Sequence, residues 1–255
     1  MPNKQSAELC EYVVEAGNLV SPLFDCLRNR CMWTLWGIVS HFFSIKNSKR
    51  LNFKKGAVIL KHHNVRSRLI ENTIMVIATN GLDKTTTKAI VSGTDINEAY
   101  IYSHFSVKED LLSKAFDSLD DELVAKTMQH VSVMYMREFD YETRCRFFFA
   151  AIWKFLIENR EKCLAFVRYY YSPYFQKYSA KSHKARFKPL VDKFSDAFKD
   201  EADVWMILNH ILNVMLDFAV KVINGEMPKD DDYTEHVFRV IYASVRQYFK
   251  NNEEC

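Results

Sequence analysis

Six glycines and five prolines in 255 residues leave too few tight reversals for a sandwich, a barrel or a parallel sheet. Such folds turn the chain about every ten residues, drawing on glycine for positive φ and on proline for a preset φ. Both residue types fall well below their usual shares of about 7% and 5%, so the expectation is an all-α chain. Apolar residues make up 48% of the total and aromatic ones 14%. That is enough for a packed core and too much for a disordered polymer. The length suits one or two domains, and two are expected.

The same scarcity removes several chemistries. Gly81 and Gly93, the closest pair, have eleven residues between them, so neither a GxGxxG dinucleotide loop nor a P-loop can be written. Cysteines at 10, 26, 31, 145, 163 and 255 make no CxxC pair and no zinc spacing. Scattered through helical segments, they suit reduced thiols in a cytoplasmic protein. HExxH and GxSxG are absent, and His62 and His63 are adjacent. Neighbours on a helix point about 100° apart and cannot share a metal. The expectation is a protein that is not an enzyme and holds no metal and no cofactor.

Charge is uneven. The net value is only +3, yet residues 46 to 70 hold Lys46, Lys49, Arg50, Lys54, Lys55, Lys61, Arg66 and Arg68 with no acid among them. Such a run is either a solvated arm or a segment that attracts phosphate beside a DNA-binding unit. Upstream, Cys31 to Ile45 (CMWTLWGIVSHFFSI) is mostly apolar but only fifteen residues long, with Ser40 and His41 inside it. A spanning helix needs about 20, so an ordinary or interfacial helix is expected, and no signal-peptide pattern is found. Residues 1–60 are set apart as an N-terminal extension without an assigned role.

From Arg66 a helical period is clear: Leu69, Ile70, Thr73, Ile74, Ile77 and Ala78 recur at three and four residues, closed by Asn80-Gly81. Thr85-Thr86-Thr87 offers caps for a short helix carrying Ala89, Ile90 and Val91, and Gly93-Thr94-Asp95 interrupts it. Asn97 caps a second short helix, Glu98 to His104, with Ile101 and Phe105 facing inward. Ser106-Val107-Lys108-Glu109 reads as a capping box that opens a long helix through Leu111, Leu112, Ala115, Phe116, Leu119, Leu123 and Val124. Three helices with a tight break before the third, feeding a long fourth, form the helix-turn-helix layout.

The segments NGLDKTTTKAI, INEAYIYSHF and SVKEDLL resemble the N-terminal DNA-binding domain of the tetracycline-repressor (TetR/AcrR) family. The family pattern of Gly, Thr and Ile falls on Gly81, Thr86 and Ile90. Tyr102 follows twelve residues later, and His104-Phe105, Lys108-Glu109 and Leu111 keep step. Where the family has Ala-Gly at the turn, this chain has Thr94-Asp95; Asp is among the few non-glycine residues that tolerate the left-handed conformation. The resemblance covers about forty-five residues. It implies a DNA-binding domain at 61–113, followed by a helical effector-binding and dimerisation domain at 114–255. It further implies DNA-backbone contacts for Tyr102 and Lys108.

A major groove about 12 Å wide admits one helix, and the side away from Ile101 and Phe105 presents Ala99 and Ser103. Tyr100 and Tyr102 flank them, with Asn97, Glu98 and His104 nearer the edges. This face has hydroxyls and a methyl but no Arg or Lys for paired guanine contacts, so readout is expected from thymine methyls and DNA shape. Thr86 and Thr87, at a helix N-terminus, and Lys108 are the expected phosphate anchors.

Beyond residue 113, helical patterns run over 141–159, 161–171, 182–199, 202–224 and 233–250, with Gly225 and Pro228 between the last two. Val204 to Ile223 is apolar nearly all round and needs cover on more than one side. Together with 233–250 it is read either as a four-helix homodimer interface or as an intramolecular core. Aromatic density around Phe148, Trp153, Tyr169, Tyr170 and Trp205 is read either as core or as the wall of a cavity for a flat apolar or aromatic effector. Asp217 would be a counter-charge for a cationic ligand, or a capped or interfacial carboxylate. The expectation is a ligand-responsive repressor binding double-stranded DNA at a palindromic operator. The other reading is a membrane-surface or interaction scaffold using 31–45 and 46–68.

Overall fold

The computed structural model describes the backbone of residues 53–250 and the side chains of residues 65–250. The apolar segment 31–45 and all of the basic run before Phe53 lie outside the described residues. Among the described residues the regular structure is nine α-helices, joined by short 3-10 and π turns, with a single antiparallel bridge between Phe198 and Phe249.

Helix α1 (Phe53–Asn80) starts thirteen residues before Arg66, so the domain limit expected at 61 falls inside a continuous helix. The run before Arg66 mixes Lys, Ala and Leu with Gly56, His62, His63, Asn64 and β-branched residues, so neither strong propensity nor an amphipathic stripe marks it. Gly81 stops the helix at φ 79°, its N–H donating to the Ile77 carbonyl at 3.0 Å. Then follow α2 (Thr87–Val91), α3 (Ala99–His104) and α4 (Lys108–His130). The expected capping box at α4 is displaced by one position. Val107 holds the cap position, and Ser106 sends its N–H and hydroxyl to Asp110 at 3.2 and 3.4 Å rather than to Glu109. From one residue further out, the carboxylate within reach is four positions on.

The second half is α5 (Tyr141–Glu158), α6 (Arg160–Tyr170), a π turn (Phe175–Ser179), α7 (Ala180–Phe194), α8 (Val204–Ile223) and α9 (Asp231–Val245). Asp140, Asp203 and Asp230 precede α5, α8 and α9. Each accepts the backbone N–H three residues on, at 2.9, 2.9 and 2.7 Å, which satisfies donors the helix cannot. Helix α8 is long and apolar enough to cross a membrane, yet it packs against α5, α6, α7 and α9 and buries Ile207, Leu212, Met215, Leu216, Ala219 and Val222.

Two apolar cores result. The small one joins Leu69, Ile90, Ile96, Ile101, Phe105 and Leu111, and the large one takes up the remaining helices. Helices α1 and α4 belong to both: Leu69 and Leu111 sit in the small core, while Ile74, Ile77, Leu112 and Phe116 sit in the large one. Polar contacts tie α4 to its neighbours as well. Asp120, fully buried, lies 2.9 Å from His183 Nδ1 on α7, and Arg186 reaches Asp117 at 2.9 Å and Asp121 at 2.6 Å. Burial pushes the Asp120 carboxyl above the ordinary carboxylate range, and the bond to His183 opposes that push. On α6, Lys162 pairs with Glu122 at 2.6 Å, and Arg168 Nη1 donates to the Ile77 and Ala78 carbonyls at 2.8 and 2.7 Å. Those carbonyls lie in the last turn of α1, where the helix dipole also favours a cation.

Removing one member of the buried, hydrogen-bonded Asp120–His183 pair strands the other, so Asp120→Ala should cost about 1–3 kcal/mol, while Asp120→Leu combined with His183→Phe should recover much of the loss. Urea melts of the three proteins check this. Bonds from Thr143 hold the Asp140 carboxyl below the usual carboxylate range, so its contribution is present above that range and lost as pH falls through the lowered value. Asp140→Ala should therefore lower the melting midpoint at neutral pH and approach the parent only as pH falls through that lowered value, whereas Asp140→Asn should stay close to the parent at neutral pH.

Candidate nucleic-acid interface

The turn between α2 and α3 is built by side chains. Thr86, extended at φ −95° and ψ 159°, accepts the Ala89 N–H on its hydroxyl at 3.1 Å and starts α2. Gly93 takes the left-handed conformation at φ 75°, which costs glycine nothing. Thr94 then donates its hydroxyl to the Val91 carbonyl at 2.8 Å and accepts the Ile96 N–H at 3.1 Å. Asp95 is ion-paired with Arg68 of α1. The two residues that depart from Ala-Gly thus close the turn and fasten it to α1.

Helix α3 is pinned by Ile101 and by Phe105 just beyond its end, both buried in the small core. Arg66 covers the Phe105 ring from outside, 5.0 Å from its centroid. Asn97 starts the helix by accepting the Ala99 N–H at 2.9 Å. The opposite face is open: Ala99 and Ser103 are exposed, and Tyr100 and Tyr102 are 46% and 59% exposed. Two large rings left in water on a six-residue helix run against burial and are the clearest sign of a contact surface. His104 is half-buried at the edge.

The anchoring residues separate into two groups. Thr86 is exposed, and its capping bond uses an oxygen lone pair, leaving the hydroxyl proton to donate elsewhere. Thr87 instead donates to the Glu98 carboxylate, which ties α2 to the start of α3 and occupies both groups. Lys108 is half-buried at the first position of α4, whose cap residue Val107 supplies no side-chain acceptor. Lys84 and Lys88, both exposed, flank the threonine cluster; an argument from caps does not point to them, and two cations spaced around Thr85-Thr86-Thr87 are the signal the sequence offers. Residues 65–115 contain six Lys/Arg and six Asp/Glu, so this domain on its own has no net positive charge.

The residues expected around an effector do not gather in one place. A cavity of about 90 Å³, open on one side, lies among α5, α8, α9 and the end of α7, and of the six only Phe148 lines it. Trp153 stacks on Phe149 at 5.7 Å and donates its indole N–H to Thr234 at 3.1 Å. Tyr169 is buried against Phe116 at 4.8 Å with its hydroxyl 3.0 Å from Ser179, and Tyr170 donates to Asn209 at 2.9 Å. Trp205 stands edge-on to Phe187 and His183. Asp217 is on the surface, paired with Lys221 at 2.7 Å. Cys145, Ile211, Met215 and Tyr242, which do line the cavity, carry no sequence signal that separates a cavity wall from core.

Residues 69–115 match the family model described as bacterial regulatory proteins, tetR family. No curated protein matches the chain in sequence. Among solved structures, the chain is similar to a TetR family transcription regulator from Marinobacter aquaeolei VT8, with 15% identity, a TM-score of 0.60, and coverage of 73% of this chain and 97% of that one. A transcriptional regulator from Rhodococcus sp. Rha1 is 19% identical at a TM-score of 0.54, over 71% and 96% of the two chains. The fatty acid degradation regulator FadR from Bacillus halodurans is 15% identical at 0.51, over 69% and 96%. Residues 69–115 are therefore a helix-turn-helix domain of the tetR family of bacterial regulatory proteins, carried on a chain that has the all-helical fold of that family's solved structures.

Proposed function

We propose that the protein is a sequence-specific, DNA-binding transcriptional regulator that acts in the cytoplasm as a homodimer on a palindromic operator and, as a repressor, lets go when a small molecule enters its C-terminal domain. One observation carries the reading: the outer face of α3, Ala99, Tyr100, Tyr102 and Ser103, stands in solvent while Ile101 and Phe105 anchor the helix from behind. A helix so presented can enter a major groove. Its six residues bury too little alone, which favours a two-fold pair spanning half-sites about 34 Å apart.

The outer sides of α8 and α9 support a dimer face. Met206 and Val240 are half exposed, His210 and Ala243 are exposed, and His210 Nε2 meets the Ser244 hydroxyl at 3.0 Å, so the two helices present one continuous surface. Coupling would run through α4, which is part of both cores, and through Arg168, which grips the end of α1. A change that tilts α4 alters the separation of the two reading helices, and an effector preferring the released state by about 3 kcal/mol would weaken operator affinity about a hundredfold.

With zero net charge over 65–115, which already counts Arg66 and Arg68, long-range phosphate attraction falls to the basic residues from Lys46 to Lys61. Selection from random duplexes followed by electrophoretic titration should yield palindromes poor in guanine at the contacted positions. Lys54, Lys55 and Lys61 changed together to Gln should flatten the salt dependence, with the log–log slope falling by about 1 for each phosphate no longer neutralised. Guanine-rich half-sites or salt-insensitive binding would overturn the proposed readout. Val240→Glu should convert a dimer to a monomer in analytical ultracentrifugation and reduce operator affinity at least tenfold, with the helical circular dichroism spectrum kept.

A further inference from the structure

A second basic run lies far from the first. From Lys162 to Val191 the chain has Lys162, Arg168, Lys177, Lys181, Lys184, Arg186 and Lys188 and no Asp or Glu. Four of these cations are engaged: Lys162 pairs with Glu122, Arg168 grips the end of α1, Arg186 turns to Asp117 and Asp121, and Lys188 reaches Asp192 at 2.7 Å. Lys177, Lys181 and Lys184 are exposed, and none is paired with a carboxylate among the described residues. We propose that these three lysines, with the phenols of Tyr174 and Tyr178, form a second DNA-backbone contact, which takes the duplex flanking the half-site under α3. This rests on the reading that α3 enters a major groove, and it extends the DNA surface beyond the helix-turn-helix domain.

Spacings of four and three residues put the three lysines on one side, while Ser179, His183 and Phe187 are buried on the other. The row begins beside the start of α4. Ser179, which ends the π turn, lies hydroxyl to hydroxyl with Ser113 of α4 at 3.2 Å, and Phe175 fixes the same turn in the large core. The Tyr178 phenol, and with it Glu109 in the first turn of α4, holds the Lys177 ammonium above its ordinary range. Helix α4 itself starts three residues after Phe105, the anchor of α3. From Lys177 to Lys184 the helix rises roughly 10 Å, a length over which one strand of B-DNA carries about three phosphates.

The charges stand where the protein alone disfavours them and an anion would not. Like charges three and four residues apart on a helix repel. Lys181 and Lys184 also lie at the start of α7, where cations oppose the dipole and no acid in the first turn offsets them. Lys188 with Asp192, one turn further on, shows the balanced arrangement of an ordinary solvated face. Rings steady two of the ammonium groups without neutralising them: Lys177 lies 4.9 Å from the Tyr178 centroid and Lys184 5.7 Å from that of Trp205. Tyr178 is 42% exposed and Tyr174 stacks on it at 6.3 Å, which adds two phenols of the kind that donate to phosphate oxygens. The zero net charge of residues 65–115 leaves phosphate to be neutralised from outside the helix-turn-helix domain.

Fluorescence anisotropy titration of the full chain with two duplexes tests this: the shortest palindrome recovered by selection, and the same palindrome lengthened at both ends by about one helical turn of arbitrary sequence. The parent should bind the longer duplex at least fivefold more tightly. Lys177, Lys181 and Lys184 changed together to Gln should bind the short duplex like the parent and lose the gain from lengthening. On the long duplex the log–log salt slope of that variant should fall by about 2 to 3. The same three changed to Arg should keep the gain, and both variants should keep the helical circular dichroism spectrum. A parent that gains nothing from lengthening, or a Gln variant that gains as much as the parent, would overturn the proposal. Phosphatidylserine vesicles that bind the parent and not the Gln variant, with the duplex gain equal in both, would assign the row to a membrane surface and overturn it too. Palindrome-selective binding without a length effect removes the row and leaves the groove reading standing. A length effect that depends on the three lysines, without preference for the palindrome, keeps the row as a DNA surface and sinks the sequence-specific reading.

Discussion

Two helices that each run through both apolar cores determine what this molecule can do. Helix α1 contributes Leu69 to the small core and Ile74 and Ile77 to the large one, and α4 contributes Leu111 to the first and Leu112 and Phe116 to the second. Apolar interiors pack near crystal density and tolerate little independent shift. A displacement of α4 by its C-terminal neighbours is therefore felt at Leu111, and through it at Ile101 and Phe105 beneath the exposed face of α3. The presented helix has six residues, too short to be stable alone, so its position is inherited wholly from this framework.

Polar contacts reinforce that framework where sliding would be easiest. Asp117, Asp120, Asp121 and Glu122 form an acidic side of α4 that meets Arg186 and His183 of α7 and Lys162 of α6. Arg168 adds two bonds to the end of α1. Exposed pairs among these contribute little to stability. The buried Asp120–His183 contact differs: desolvation makes an unmatched state costly, so it selects one register of α4 against α7 more than it adds net stability.

The helix-turn-helix was legible because its punctuation is local. Thr86, Gly93 and Asn97 act within three residues of themselves, and a sequence window contains the whole cause. The caps before α5 and α9 follow the same logic. The start of α1 at Phe53 was not legible, since the stretch before Arg66 has neither strong helix propensity nor an apolar period. The pairing of Thr87 with Glu98 was hidden too. It joins residues eleven apart across a turn whose geometry must be known before the contact can be guessed. Asp110 displaced Glu109 as the partner of Ser106 by a one-residue offset, within the ordinary uncertainty of a helix boundary.

The aromatic-rich C-terminal helices mark where sequence reasoning ran out. Phe148, Trp153, Tyr169, Tyr170 and Trp205 share an aromatic signature, yet the last four pack against other rings of the core or bond to Thr234, Ser179 and Asn209. Ring density therefore measured how much surface had to be covered, not where a gap would remain. The gap lies where α5, α8 and α9 converge, lined by Ile211, Met215 and Phe238 among others, residues a solid core would use equally well. Whether such side chains meet or stand apart depends on interaxial spacing, which is set by every contact along three helices. A cavity of this kind is a property of the assembled bundle and not of any one helix, which is why no window of sequence contains it.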